Sequence, residues 1–177
     1  MTKKADNRRL EDELDSLIDA LPLADLEKRF LRSRWLDQVL WLEGRARVDQ
    51  QRYYALRLVT IVAGVVVPAL VSLNVRKESV ASTLAWTTFA VSLIVAIAAA
   101  LEEFFHYGER WRNYRRSAEA LKAQGWQFLQ LAGPYASLGS HAEAYPVFAA
   151  QVEALLQRDV DVYITQVVQE QRKKERQ

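Results

Sequence analysis

The chain has no cysteine, only two histidines and one methionine, and just four prolines and six glycines in 177 residues. Without cysteine, structural disulfides and thiolate metal sites are excluded. Strand-like alternation is also missing, and no glycine-rich phosphate loop follows a strand. The amino terminus, MTKKADNRRLEDELDS, is charged and has no apolar core, so it reads as lacking a cleavable signal peptide. The formal net charge is only +2. That balance points to no nucleic-acid partner. His106 follows Glu102 and Glu103 by four and three residues, but no second histidine or further carboxylate cluster accompanies them. Neither an enzyme nor a bound metal or cofactor is expected.

The chain does have two uncharged apolar runs, 58–75 and 80–101, separated by Arg76, Lys77, Glu78 and Ser79. A helix of about 20 apolar residues spans the roughly 30 Å hydrocarbon core of a bilayer. The runs therefore predict a transmembrane hairpin, against the alternative of a buried hairpin in a soluble bundle. Arg45, Arg47, Arg52 and Arg57 precede the first span, and Arg110, Arg112, Arg115 and Arg116 follow the second. Only Arg76 and Lys77 lie between them. The excess of positive charge outside the turn places both termini in the cytoplasm and the turn outside.

Around the hairpin the pattern is helical throughout. Segment 1–22 is amphipathic through Leu10, Leu14, Leu17, Ile18 and Leu21. It suits a helix docked on its own protein, or one that binds a partner or a membrane surface. Segment 23–57 reads as a cytoplasmic helix leading into the first span without a break. The second span reads on through 102–131 until Gly133 and Pro134, with 132–145 as a loop. A last helix is expected over 146–171, with Phe148, Val152, Leu155, Tyr163 and Val167 as its seam, followed by a charged tail at 172–177. The fold class is all-α: a two-span transmembrane hairpin continuing into a cytoplasmic helical bundle.

Small residues recur every four positions in both spans. Thr60, Gly64, Pro68 and Ser72 mark the first, and Thr88, Ser92, Ala96 and Ala100 the second. Helices in lipid associate through close approach at small residues, so these stripes are expected to pack the spans or the protomers together. The competing reading puts the hydroxyls of Thr88 and Ser92 on a water-filled path. Thr60 and Gly64 precede Pro68 and are expected to relieve the backbone groups it frees. Arg57 and Glu103 flank the two stripes and invite an ion pair, which leaves Glu102 for an oligomer interface, a lumen or solvent. Acidic residues at a pore mouth favour cations, so Glu102 and Glu103 are the candidate ion-mouth residues. Tyr53, Tyr54, Trp86, Tyr107 and Trp111 read as interfacial anchors.

In 111–135, WRNYRRSAEALKAQGWQFLQLAGPY, the residues Trp111, Tyr114, Ala118, Leu121 and Phe128 share one helix face, as a bundle core requires. Arg115 and Glu119 are spaced to pair on the surface. Trp111, Tyr114, Arg115, Glu119, Leu121, Phe128 and Tyr135, with Phe148, Glu153 and Pro68, resemble the pattern of the SLATT family. These are two-transmembrane effector domains associated with SMODS and SLOG proteins, related to a bacterial family of unknown function. The chain departs from that pattern at Gln124, where the family often carries an acid. The resemblance implies a bacterial inner-membrane effector that forms pores beside a separate nucleotide-signal sensor. Two spans cannot enclose a lumen alone, so a conducting form must be a homo-oligomer. Two other readings remain open: a non-conducting anchor that presents its helical bundle to a partner, and a lipid or membrane-stress sensor.

Overall fold

In the computed structural model the described backbone covers residues 3–73 and 78–175, and the described side chains cover 11–73 and 80–158. Arg76 and Lys77 of the expected turn lie outside the described residues, as do the side chains of Leu10, Tyr163, Val167 and the 172–177 tail. Among the described residues, all regular structure is helical. The order is α1 (Lys3–Ala20), α2 (Asp25–Phe30), a π-helical stretch (Leu31–Leu36), α3 (Asp37–Ser72), α4 (Glu78–Phe105), α5 (Tyr107–Leu129), a short 3-10 turn (Gly133–Tyr135) and α6 (His141–Glu175). The chain divides into two compact units, Met1–Gly44 with Tyr114–Gln177, and Arg45–Asn113.

The first unit has an apolar core drawn from several helices. Leu14 and Ile18 of α1 and Leu21 just after it are buried with Leu31, Trp35, Leu36 and Val39, with Leu121 and Phe128 of α5, and with Phe148 and Val152 of α6. Helix α1 is thus docked on its own protein. Arg32 reinforces the docking by reaching Asp15, at 2.6 Å, and Asp19. The π stretch lets Trp35 and Leu36 both face inward, because each i→i+5 turn holds one extra residue. Phe128 stacks on Phe148 with ring centroids 4.5 Å apart, and Tyr135 and His141 meet Phe128 edge-on.

Two contacts set how closely these helices approach. The indole Nε1 of Trp35 donates to the Leu121 carbonyl at 2.9 Å. A Cβ on Gly125 would sit 1.9 Å from Trp35 Cζ2, so only glycine lets the indole lie on α5 there. The buried Tyr135 hydroxyl donates to Gln124 Oε1 at 2.8 Å, and burial raises its pKa. A neutral amide therefore holds the position where the resembled family often has an acid. Arg115 pairs with Glu119 at 2.8 Å, and Lys122 bridges Glu119 and Glu43.

Helix ends depart from the sequence expectation in three places. Helix α6 starts at His141 and not at Pro146, because Ser140 caps it and Glu143 reaches back to the residue before the cap. The Glu143 N–H donates to Ser140 Oγ, and the Gly139 N–H donates to Glu143 Oε2. Pro146 falls inside the helix. Helix α5 ends at Leu129 in a Schellman turn, with Leu131 at φ 46° and the Ala132 N–H donating to Gln127 O at 2.8 Å. The expected unbroken helix over 80–131 is interrupted at His106. The expected helix over 23–75 does run from Asp25 to Ser72, with the π stretch inside it.

In the second unit, α3 and α4 are long and apolar enough to cross a membrane, and only 6% of each apolar window is buried. The positions withdrawn from solvent are Tyr53, Leu56, Thr60, Ala63, Val67 and Leu70 on α3, and Leu84, Thr88, Val91, Val95, Ala98 and Glu102 on α4. Their spacing alternates three and four, the 3.5-residue repeat of a coiled-coil seam. The seam within the hairpin therefore differs from the four-residue stripes. Only Thr60 and Thr88 lie on the seam, while Gly64, Pro68, Ser72, Ser92, Ala96 and Ala100 are exposed. A four-residue step advances about 400°, so such a stripe drifts about 40° per step and leaves the contact face. Thr60 also does not serve Pro68. Its hydroxyl donates to the Leu56 and Arg57 carbonyls, one turn before itself.

Two expectations test the first unit. Gly125→Ala forces the indole of Trp35 away and should cost about 1–3 kcal/mol, seen as a lower thermal midpoint in detergent. The Arg34 guanidinium grips Glu153 through two hydrogen bonds, at 2.6 and 2.8 Å, and holds its carboxyl below the usual range. Both side chains are more than a third exposed, so solvent limits the pair to under about 1 kcal/mol. A depressed carboxylate contributes stability above its unfolded-state value and loses it as pH falls through the folded one. Glu153→Gln should therefore lower stability at pH 7, and the gap to the parent should close below about pH 4.

Candidate functional site at the open end of the hairpin

The polar groups of the second unit gather at the end of the hairpin away from residues 74–77. Helix α4 stops at Phe105, and His106 takes the left-handed conformation at φ 51°. Its N–H donates to the Glu102 carbonyl at 3.0 Å, the single bond that closes a left-handed helix end. Its own carbonyl accepts from the N–H groups of Glu109 and Arg110, which starts α5 at once. The imidazole Nδ1–H donates to the Phe104 carbonyl at 3.3 Å. Gly108 follows and is buried. A Cβ there would lie 2.9 Å from Tyr53 Cε2, so the first turn of α5 rests directly on that ring of α3.

Beneath this contact lies Asp49, the one buried charged residue among the described residues. Its carboxylate is 4% exposed, with Arg110 Nε at 3.3 Å and Arg52 Nη1 at 3.9 Å. The attraction is long and poorly aligned: Asp49 Oδ2 accepts no well-formed hydrogen bond, and neither does the nearby-sequence indole Trp111 Nε1 donate one. Arg52 also places its guanidinium 5.6 Å from the Tyr107 ring centroid, within cation–π range.

Above it, Tyr53, Glu102, Glu103, His106, Gly108, Glu109 and Arg112 line a cleft of about 270 Å³. A second cleft of about 200 Å³, lined by Leu56, Arg57, Thr60, Ala99, Glu102 and Glu103, shares its two acids. Three carboxylates face one guanidinium and one imidazole in the larger cleft. Among the described residues, no group of three or more His, Asp or Glu side chains is arranged to hold a metal ion.

The sequence placed the acids differently. Glu103 was expected on the meeting face and Glu102 turned away, yet Glu102 is the half-buried seam residue and Glu103 is exposed. Arg57 is exposed, and among the described residues no ion pair joins it to Glu103. The difference follows from the 3.5-residue seam, which carries Ala98 and Glu102 inward in place of Ala100. The hydroxyls on the seam are already engaged, since Thr88 donates to the Leu84 carbonyl and Thr60 to its own preceding turn. Ser92 is exposed. Sequence reasoning passed over Asp49, Glu109 and Gly108, and used Arg110 and Arg112 only for orientation. Nothing in a mixed-charge helix marks one aspartate as buried, although a glycine two residues after a histidine and beside aromatics is a signal of close approach.

Residues 37–143 match the family model described as "Protein of unknown function (DUF4231)". No curated protein and no solved structure matches the chain.

Asp49→Ala removes a buried carboxylate that lies 3.3 Å from Arg110 Nε and 3.9 Å from Arg52 Nη1. It should cost about 1–3 kcal/mol, because the contacts of a buried carboxylate with two cations are lost and a cavity is left in its place. Unfolding of the detergent-solubilised protein checks this, and Asp49→Asn should cost less.

Proposed function

We propose a function for a chain that belongs to the DUF4231 family, whose own function is unknown: an oligomeric, cation-permeable channel of the bacterial inner membrane. The observation that carries the reading is the pairing of two almost wholly uncovered apolar helices with an acidic cleft at one end of them. Exposed aromatic pairs support the membrane placement. Trp86 meets Phe89 edge-on, and Phe104 meets Phe105 in the same way. Trp86 and Phe104 are 18 residues apart, about 27 Å along a helix, which matches the distance between two interfacial belts. The excess of arginine at the cleft end supports an orientation with both termini in the cytoplasm. Glu102 and Glu103 form the cation-facing mouth, and Arg57 sits beside them.

Two spans cannot enclose a lumen alone, and the middle of the seam is filled by alanine, valine and leucine with Thr60 and Thr88. Conduction therefore runs between protomers of a homo-oligomer. The exposed small residues Gly64, Pro68 and Ser72, with Ser92, Ala96 and Ala100, are available to that contact. The SLATT-like residues support an effector role, with a separate cytoplasmic sensor as regulator. A second reading has its own support: the seam hydroxyls are spent on their own helices, which favours a non-conducting anchor that presents the helical bundle of the first unit to a partner.

Reconstitution into planar bilayers separates the two. A cation channel gives discrete currents whose reversal potential, under a salt gradient, lies toward the cation value. The Glu102→Gln, Glu103→Gln double variant should move it toward zero. An unchanged reversal potential sinks the acidic-mouth assignment, and silence across voltage, Ca²⁺ and pH leaves the anchor.

A further inference from the structure

The second unit carries a cluster of charge that the acidic cleft does not use. Arg52 of α3 and Arg110 of α5 approach the same buried carboxylate, that of Asp49, at 3.9 and 3.3 Å. One carboxylate carries one negative charge and two guanidiniums carry two positive ones, so the trio is positive by one unit. Both arginine side chains stay open to solvent, at 57% and 44%. Neither they nor Tyr107 line the acidic cleft.

An aromatic platform holds Arg52. Its guanidinium lies 5.6 Å from the Tyr107 ring centroid, and Tyr107 in turn stacks on Phe105 with centroids 5.2 Å apart. A planar guanidinium against a ring keeps its N–H donors in its own plane, directed past the ring edge. Among the described residues the nearest acid to that guanidinium is Asp49 at 3.9 Å, too far for a hydrogen bond. The group is therefore held in place with donors to give.

Depth decides the kind of anion. Arg52 precedes Leu58, the first residue of the apolar run, by six residues, about 9 Å along a helix. The headgroup band on each side of a bilayer core is about 5–8 Å thick. A long arginine side chain spans the small difference. Arg52 thus stands at the level of the lipid phosphates once the hairpin is in a bilayer. Phe104 and Phe105, both exposed, mark the same boundary on α4. A phosphate suits the forked donors of arginine. A zwitterionic headgroup would bring a further cation to a cluster that is already positive, and an acidic headgroup would not.

We propose that Arg52 and Arg110 hold the phosphate of an acidic phospholipid beside Tyr107, at the arginine-rich end of the hairpin. The proposal rests on the membrane placement of α3 and α4, and not on conduction. To test it, the full chain in a neutral detergent is titrated with phosphatidylglycerol or phosphatidylcholine, and native mass spectrometry counts the lipids bound. The first phosphatidylglycerol should bind at least about fivefold more tightly than the first phosphatidylcholine, the factor that one arginine at an anionic surface supplies. Arg52→Gln should weaken phosphatidylglycerol about fivefold and leave phosphatidylcholine unchanged. Arg116→Gln, the same change of charge outside the cluster, should alter neither. Equal affinity for the two lipids overturns the proposal. So does an equal loss in Arg52→Gln and Arg116→Gln, which is diffuse attraction, and so does displacement of the lipid by excess inorganic phosphate. Flotation with phosphatidylcholine liposomes separates the two levels of failure. A chain that floats but shows no lipid preference loses this proposal alone, and a chain that does not float loses the membrane reading with it.

Discussion

Two helices of this chain leave their apolar side chains with almost nothing of the chain to cover them, and the rest of the structure accommodates that. Each valine, leucine or isoleucine withdrawn from water gains about 1.5–3 kcal/mol, so ten left exposed would cost on the order of 20 kcal/mol. A domain holds together by about 5–15 kcal/mol. So large an apolar surface is costly in water, and the two helices are long and apolar enough to cross a membrane. The proposed membrane hairpin follows from this imbalance. Within it, the side chains that do meet are chosen by seam geometry, with Ala63 and Ala98 most deeply withdrawn. The smaller and more polar residues are left on the outer faces.

Polar chemistry is displaced to one end of the apolar pair. There Asp49 is buried against Arg110, Gly108 is seated on Tyr53, and the acids of α4 and α5 share a cleft with Arg112. The first two contacts join α3 to the start of α5 at a bend that the local sequence does not ask for. The same group of residues thus sets the backbone path and the electrostatic character of the cleft. A change at His106, Gly108 or Asp49 is expected to alter both at once.

The first unit is built by different means. Its core is aromatic, with Trp35, Phe128, Tyr135 and Phe148 all buried; Arg32 and Arg34 form ion pairs at the surface, and Lys122 forms one that is largely buried. Much of it was legible in advance. The face carrying Ala118, Leu121 and Phe128 is buried as its spacing required, and the amphipathic segment ending near Leu21 lies on its own core. The cap at Ser140, with Glu143 three residues on, was written in the chain, although Pro146 is the more familiar signal of a helix start. The Gly125 contact was not legible, because it depends on an indole 90 positions earlier in the sequence.

The sequence by itself determined the helical class, the two long apolar helices and the amphipathic faces of the first unit. Those properties depend on length, composition and local periodicity, which are one-dimensional. Only the tertiary structure decided which faces of α3 and α4 meet, that Glu102 and not Glu103 lies on the seam, that Asp49 is buried, and that the helix breaks at His106. A four-residue and a 3.5-residue repeat differ by only a few tens of degrees per step, too little for a short stripe to distinguish. The packing of one helix against another amplifies that difference into a choice of face, and it supplies the contacts that outweigh helical propensity at the joint.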